Sequence, residues 1–219
     1  MISDLFSLQV SNIRRSPADD FRMMNSLHGT QTIRNWWGSG VVIPGRGFVM
    51  NNAMADFSPK VGVRTTQGLA YGMANAIAPG KTPLSSMCPG IVMKDGTPFL
   101  AYGAAGGPRI ITSNLQTILN AIDYDMLADS CVRHPHICCL TLEQGLEVEE
   151  GISPDTLKIL EERGHRLLHS TDYGVLAVMP NGISHVDGKF FPGGTSRTDG
   201  GGGALTEAGT MAINGMCFC

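Results

Sequence analysis

The sequence predicts an α+β fold in which antiparallel sheets are covered by flanking helices. Three observations lead to this prediction. Strand-like apolar runs joined by glycine turns dominate the chain from residue 30 to about residue 105. Two helical stretches follow, and a further strand-like stretch comes after them. Runs of strands followed by runs of helices are typical of layered α+β domains.

Three stretches predict β-hairpins. GSGVVIPGRGFVMNN has two β-rich runs around a Pro-Gly-Arg-Gly turn. In GIVMKDGTPFLAYG, two apolar runs flank Asp95-Gly96, and Asp-Gly is the preferred chemistry of a tight hairpin turn. We expect a third hairpin at Asn181-Gly182, within GVLAVMPNGISHVDG.

A buried helix is predicted directly after Gly106-Gly107, where GGPRIITSNLQTILNAID takes up the helical period. Its apolar residues share one helical face, which we expect to pack into the core. They are Ile110, Ile111, Leu115, Ile118, Leu119 and Ile122.

A second helix is predicted in SPDTLKILEERGH, which carries clear start and stop signals. Ser153 is the expected N-cap and Pro154 the first helical residue. Asp155 faces the positive end of the helix dipole, and Gly164 ends the helix.

Changes in composition and periodicity divide the chain into three segments. Residues 1–29 lack a clear periodicity and are predicted to be an irregular segment of loop or weak helix. Residues 30–205 form the main domain. Residues 206–219 are a C-terminal extension, and the glycine-rich stretch from Gly200 onward is predicted to be a loop.

Composition excludes several classes of protein. With 42% hydrophobic and 16% charged residues, the chain is an ordinary globular one, not a disordered one. A net charge of −3 argues against nucleic-acid binding. We expect a soluble protein, since no apolar run reaches membrane length and acidic residues come too early for a secretory signal. The 6 cysteines have no framework spacing and are expected to be reduced thiols.

The adjacent pair Ser85-Ser86 permits three interpretations. A catalytic nucleophile is disfavoured, because no GxSxG elbow surrounds the pair. In the second interpretation the serines are turn residues after Pro83, and the serine hydroxyls satisfy local backbone groups. In the third, the two hydroxyls donate hydrogen bonds to a ligand carboxylate, which can only accept. Composition and spacing leave the second and third interpretations open.

Other candidate sites also have a structural alternative. Gly106-Gly107 could present backbone N–H groups to an anion or form a tight turn into the helix. Asp56 could pair with a cation or form an Asx turn. CVRHPHICC contains zinc-binding residue types, but its spacing matches no known zinc motif, so a partly buried loop is favoured. Trp36-Trp37 is typical of a half-buried strand edge.

Three stretches taken together resemble the small catalytic subunit of the γ-glutamyltransferases (γ-glutamyltranspeptidases), which are N-terminal-nucleophile hydrolases. They are TQTIRNWWGSGVVIPGRGFVMNNAMADFS, NAIAPGKTPLSSMCPGIVMKDGTPFLAYGAAGGPRIIT and SPDTLKILEERGH. The similarity extends from about Thr30 to about Ala204. It implies part of a four-layer αββα sandwich, made when a precursor cleaves itself into a large and a small subunit. It also implies transfer of a γ-glutamyl group from glutathione-like donors to water, amino acids or peptides, with neither a cofactor nor a metal ion.

The resemblance also implies roles for individual residues. In the family, a threonine at the new N-terminus attacks the γ-amide, and its own α-amino group helps as the base. Paired serines hold the substrate α-carboxylate, the acid of DFS binds the α-amino group, and two glycines supply oxyanion-hole amides. A further threonine hydrogen-bonds the nucleophile. In this chain the corresponding residues are Ser85 and Ser86, Asp56, Gly106 and Gly107, and Thr32.

This chain departs from the family pattern at several positions. Arg34 stands where the family usually has an asparagine that touches the substrate carboxylate, and Ala53 replaces a glutamine or glutamate. An arginine can still bind a carboxylate. CVRHPH replaces a segment like APRFHH. No threonine precedes Thr30, so the nucleophile is not found, and three serines are not persuasive substitutes: Ser11, Ser16 and Ser26.

The sequence therefore predicts a γ-glutamyltransferase-like acyltransferase or hydrolase domain whose substrate-holding half is present. We expect little or no turnover from this chain alone, as for a fragment that lacks its nucleophile and large subunit. The expected partners are glutathione or other γ-glutamyl compounds and the large subunit of the same precursor. The alternative is a non-catalytic module that binds γ-glutamyl ligands or pairs with another subunit.

Overall fold

A computed structural model of the chain describes residues 7–15, 24–35, 37–65, 69–141, 143–169, 178–197, 202–205 and 211–214, and the side chains of those within 30–197. These residues form strands β1 Ser7–Arg15, β2 Met24–Thr32, β3 Gly90–Lys94, β4 Thr97–Ala105, β5 Ile137–Cys138, β6 Leu146–Val148, β7 Leu167–His169, β8 Met179–Val186, β9 Lys189–Gly194, β10 Gly202–Leu205 and β11 Met211–Asn214. The helices are α1 Ile110–Asp123, α2 Ala128–Arg133 and α3 Pro154–Glu162.

The main sheet has the strand order β3-β4-β8-β9, and all its neighbours are antiparallel. A smaller sheet has the order β5-β6-β7, in which β6 and β7 run parallel. With α1 and α2 against the main sheet, this mixture of helices and antiparallel strands confirms the α+β prediction.

The core lies between the main sheet and its two helices. Leu100 of β4, Ala121 of α1, and Ala128 and Cys131 of α2 pack together and are almost fully buried. Helix α2 approaches β9 so closely that a Cβ added to Gly193 would lie 2.4 Å from the backbone nitrogen of Asp129. A side chain at residue 193 would therefore push the helix off the sheet.

Helix α1 begins at Ile110, as predicted, but the prediction of a buried apolar face is wrong. Ile110 is buried, whereas Ile111 and Ile122 are 59% and 53% exposed. The buried side of the helix carries small and polar residues: Ser113, Asn114, Thr117 and Ala121. Short side chains allow the helix to lie close to the sheet, so the larger apolar residues point away from it.

The hairpin predictions have mixed outcomes. Asp95-Gly96 forms the turn between β3 and β4, with both residues at positive φ, as its chemistry predicts. The stretch around residues 44–46 forms a turn, closed by the single bridge between Val42 and Val49. The third prediction is wrong, because Asn181-Gly182 lies inside β8. The turn is at Asp187-Gly188, a second Asp-Gly pair with positive φ values.

The two ends of the chain contain strands where loops were predicted. β1 and β2 pair antiparallel, with Ser7 opposite Thr32, so the prediction of loop or weak helix is wrong for both strands. The alternation in the stretch LQVS of β1 is a short period-two signal. β10 and β11 also pair antiparallel, which replaces part of the predicted glycine-rich loop.

Helix α3 agrees closely with its prediction. It follows Ser153, begins at Pro154 and ends before Gly164, which has a φ of 89°. The Ser153 side chain makes no capping hydrogen bond, so the boundary depends on the backbone and on Pro154.

Candidate functional site

Thr32, Arg34 and Asp56 are brought together by short polar contacts. Asp56 ends a 3₁₀ turn that spans Ala53–Asp56. Arg34 Nε donates to Asp56 Oδ1 at 2.6 Å, and the Arg34 NH2 group donates to the carbonyl of Ala55 at 3.1 Å. The backbone N–H of Arg34 donates to Thr32 Oγ1 at 2.9 Å. Of the two interpretations of Asp56, the cation pair is the one the structure contains, and the cation is Arg34.

Asn75 connects Asp56 to the loop that carries the paired serines. This side chain is buried, and its Nδ2 donates to the Asp56 carbonyl at 2.7 Å. Its Oδ1 accepts the backbone N–H of Leu84 at 3.0 Å, one residue before Ser85. One side-chain amide therefore fixes the spacing between the backbone of Asp56 and that of the serine loop.

The serine loop, residues 81–89, has no helix or strand and precedes β3. Ser85 is exposed and its Oγ accepts the N–H of Met87 at 3.1 Å, which is the turn interaction that the sequence allows. At the far end of the loop, Asn114 Nδ2 of α1 donates to the Cys88 carbonyl at 2.7 Å. The loop is therefore anchored at both ends by buried asparagines, while Ser86 stays half-buried between them.

Gly106 and Gly107 form the corner between β4 and α1. Their φ values are 138° and 60°, in a region that favours glycine, and a 3₁₀ turn over Gly107–Arg109 leads into the helix. Arg109 secures this corner through a bidentate pair with Glu147 at 2.7 and 2.6 Å. These hydrogen bonds raise the pKa of Arg109 above its ordinary value.

Side-chain hydrogen bonds connect the segments that carry the predicted site residues, one to the next. Asn75 links the Asp56 turn to the serine loop, and Asn114 links the serine loop to the helix that follows Gly106-Gly107. Sequence reasoning missed both asparagines. Asn75 stands within the family-like stretch NAIAPGKTPLSSM, whereas Asn114 occupies a polar position of a helix whose apolar face was expected to be buried.

The CVRHPHICC segment runs from the end of α2 through residues 134–136 into β5 and surrounds Arg197, so the predicted loop is confined to its middle. The Arg197 guanidinium donates to the carbonyls of Val132 and His134 at 2.6 and 2.8 Å, and it pairs with both oxygens of Glu149. His136 Nδ1 lies 2.7 Å from the Arg197 NH2 group, and since arginine only donates, this nitrogen accepts. Across the part of the chain that the structure describes, no three histidine, cysteine or acidic side chains converge to hold a metal ion.

Burial sets the protonation of several groups near this loop. It lowers the pKa of His136 to about 4, and the neighbouring Arg197 charge acts in the same direction. It also raises the pKa of the Cys131 thiol to about 11. Cys88, Cys131, Cys138 and Cys139 are free thiols. A protonated, buried Cys131 is a core residue and not a nucleophile.

The mixture of helices and antiparallel sheets is shared with solved N-terminal-nucleophile hydrolases of the gamma-glutamyltranspeptidase type. The gamma-glutamyltranspeptidase family model matches residues 22–203. The chain therefore belongs to the gamma-glutamyltranspeptidase family. The matched region begins within the segment 1–29 and ends within the main domain.

Individual relatives agree with this assignment. The chain is 45% identical over 143 residues to the glutathione hydrolase proenzyme of Escherichia coli, covering 65% of this chain and 25% of that protein. It is 40% identical over 166 residues to the glutathione hydrolase proenzyme of a Pseudomonas species, covering 75% and 29%. The chain thus spans between a quarter and a third of these relatives.

A solved structure shares the fold at greater coverage. The T380A mutant of Helicobacter pylori gamma-glutamyltranspeptidase superposes with a TM-score of 0.75 and 35% identity, covering 87% of this chain and 99% of that chain. Among the described residues, no helix is long and apolar enough to span a membrane. Trp37 lies in a turn and is 50% exposed, so the prediction of a half-buried strand edge is wrong for this residue. Trp36, Cys217 and Cys219 lie outside the described residues.

Proposed function

We propose that this chain supplies the part of a γ-glutamyltransferase active site that binds the γ-glutamyl group of the substrate. In this proposal the hydroxyls of Ser85 and Ser86 bind the α-carboxylate of a γ-glutamyl group, and the amides of Gly106 and Gly107 form the oxyanion hole. The observation that carries it is the anchoring of the serine loop at both ends, by Asn75 and Asn114. A loop fixed in this way holds two hydroxyls in place before a ligand arrives, so less entropy is lost on binding.

The remaining assignments follow the family resemblance. Thr32 supports the nucleophile, Asp56 is the family position for the substrate ammonium, and Arg34 is the neighbouring carboxylate-binding position. Residues 1–29 contain no threonine to act as the attacking group. We therefore propose that this chain binds γ-glutamyl compounds such as glutathione and has little or no turnover by itself.

A second candidate function, pairing with another subunit, is favoured by the exposed side of α1. Four large apolar side chains lie there in the described part of the chain, and an apolar patch on a soluble protein often marks an interaction surface. We propose that the rest of a longer precursor, the large subunit, covers this patch. The residues are Ile111, Leu115, Leu119 and Ile122.

The test of the proposed function is thermal unfolding of the chain with and without glutamate. At about a hundredfold excess of ligand over its Kd, we expect the melting temperature to rise by about 5 to 10 °C. The variant Ser85→Ala/Ser86→Ala should lose this rise, because it lacks both hydroxyl donors. Ser130→Ala, on the exposed part of α2, is the matched control and should keep it.

Two results would contradict the proposal. One is a chain that no γ-glutamyl ligand stabilises, and the other is a double-alanine variant that responds like the unmodified chain. Release of p-nitroaniline from γ-glutamyl-p-nitroanilide separates binding from catalysis. We expect background rates, and a rate above background that disappears in the double variant would overturn the proposed lack of turnover.

A further inference from the structure

Arg34 already neutralises the carboxylate that the proposed site would offer to a substrate ammonium. Its Nε lies 2.6 Å from Asp56 Oδ1, and only 23% and 35% of the two side chains are exposed. A guanidinium stays protonated at every pH at which proteins are folded. An ammonium placed on the same carboxylate would therefore meet a fixed positive charge beside it, and like charges at this range repel.

The turn that carries Asp56 also offers few other acceptors for an ammonium. Its side chains before Asp56 are Ala53, Met54 and Ala55, none of which accepts a strong hydrogen bond. The carbonyl of Ala55 already accepts from Arg34, and the carbonyl of Asp56 accepts from Asn75 at 2.7 Å. An ammonium has three N–H donors to satisfy, so this turn is poorly matched to it.

The backbone of Arg34 gives a second reason to assign its side chain a role. Its φ is 78°, a left-handed conformation that asparagine and aspartate adopt far more readily than arginine. Non-glycine residues held in this region cost about 1 to 3 kcal/mol and cluster at functional sites. The backbone conformation therefore does not explain why residue 34 is an arginine. The ion pair between the Arg34 side chain and Asp56 does explain it.

We propose that Arg34 sets the substrate class of this site in favour of acyl groups that carry a terminal carboxylate but no neighbouring ammonium, such as glutaryl. Glutaryl has the length and terminal carboxylate of γ-glutamyl, with a hydrogen in place of the ammonium. The guanidinium attracts the carboxylate of either group, but it repels the ammonium that only γ-glutamyl carries. This inference rests on the proposed function, in which the hydroxyls of Ser85 and Ser86 bind the ligand carboxylate. We call this pair of hydroxyls the serine clamp.

The test is calorimetric titration of the chain with glutarate and, separately, with glutamate. We expect glutarate to bind about tenfold more tightly, which corresponds to about 1.4 kcal/mol. In Arg34→Asn, whose side chain tolerates the left-handed backbone, Asp56 is released to pair with an ammonium. The preference should then disappear or reverse in favour of glutamate.

Two control variants separate charge from other effects. Arg34→Lys keeps a positive charge beside Asp56 and should keep the preference for glutarate. Arg46→Asn makes the same replacement in an exposed turn and should leave both affinities unchanged. The melting temperatures of all variants show whether each one is folded at the temperature of the titration.

The outcomes distinguish this inference from the proposed function. Equal affinities for the two ligands, or a preference for glutamate in the unmodified chain, overturn the role of Arg34 and leave the serine clamp standing. A preference that persists unchanged in Arg34→Asn also overturns it. Absence of binding by either ligand, to the unmodified chain and to Arg34→Asn, overturns the clamp and the inference together.

Discussion

Replacement of Arg197 by methionine is expected to lower the free energy of unfolding by about 3 to 5 kcal/mol, the cost of breaking a buried ion pair by removing one partner. Only 3% of the Arg197 side chain is exposed, and it contacts Glu149, His136 and the carbonyls of Val132 and His134. The variant leaves the Glu149 carboxylate buried without its guanidinium. Urea unfolding at pH 7 measures the change.

Arg133→Met is the control for this prediction. Arg133 pairs with Asp129 one turn away on α2, but both side chains are more than a quarter exposed. We expect that variant to lose less than about 1 kcal/mol. The double variant Arg197→Met/Glu149→Leu should recover part of the loss, since no charge is then left unpaired. An Arg197→Met protein within about 0.5 kcal/mol of the unmodified chain would contradict a stabilising role for this cluster.

Acidification is expected to destabilise the chain through His136, with the loss falling between about pH 6.5 and pH 4. Burial, with help from Arg197, lowers the pKa of His136 to about 4, below the ordinary value. In this window the unfolded chain binds a proton at residue 136 and the folded chain does not, so stability falls as the pH falls. A pKa difference of this size corresponds to about 3 kcal/mol.

The measurement is urea unfolding across pH 4 to 7.5, for the unmodified chain and for His136→Asn. Asparagine keeps an acceptor near Arg197 but does not titrate, so the variant should have a flatter profile in that window. His165→Asn changes an exposed histidine and should keep the original profile. Parallel profiles for the unmodified chain and His136→Asn would refute the assignment, whatever the absolute stabilities are.

Local chemistry allowed part of this fold to be predicted from the sequence. The turn at Asp95-Gly96 and the boundaries of α3 each depend on a few adjacent residues with strong conformational preferences. The same local preference led to a wrong prediction of a hairpin turn at Asn181-Gly182. There, Gly182 lies in β8 between two partner strands, opposite Tyr102 and Gly193. Tertiary pairing outweighed the local turn preference.

The buried side of α1 was not predictable from periodicity. A hydrophobic stripe indicates which face of a helix avoids water, but not which layer will cover it. In this chain the sheet side is selected by close approach, which Ser113, Thr117 and Ala121 permit. The apolar stripe is left for whatever packs on the other side, so its burial depends on residues beyond this helix and sheet.

The candidate site was predicted at the level of residues but not of contacts. The stretches DFS, PLSSM and GGPRIIT identified its segments through family resemblance. Nothing in the sequence indicated that Asn75 and Asn114 anchor the serine loop, because these contacts join residues 9 and 26 positions apart, beyond the spacings at which local patterns predict a side-chain contact. The pairing of Arg34 with Asp56 was hidden for the same reason.

The most direct test of the serine clamp is a crystal structure of the chain soaked with the ligand, glutamate or glutarate, that raises its melting temperature most. We expect a ligand carboxylate within about 2.5 to 3.0 Å of both Ser85 Oγ and Ser86 Oγ, the range of hydroxyl hydrogen bonds. The Asn75 and Asn114 contacts that hold the loop should be unchanged. A ligand bound elsewhere, or one that contacts neither serine, would contradict the account.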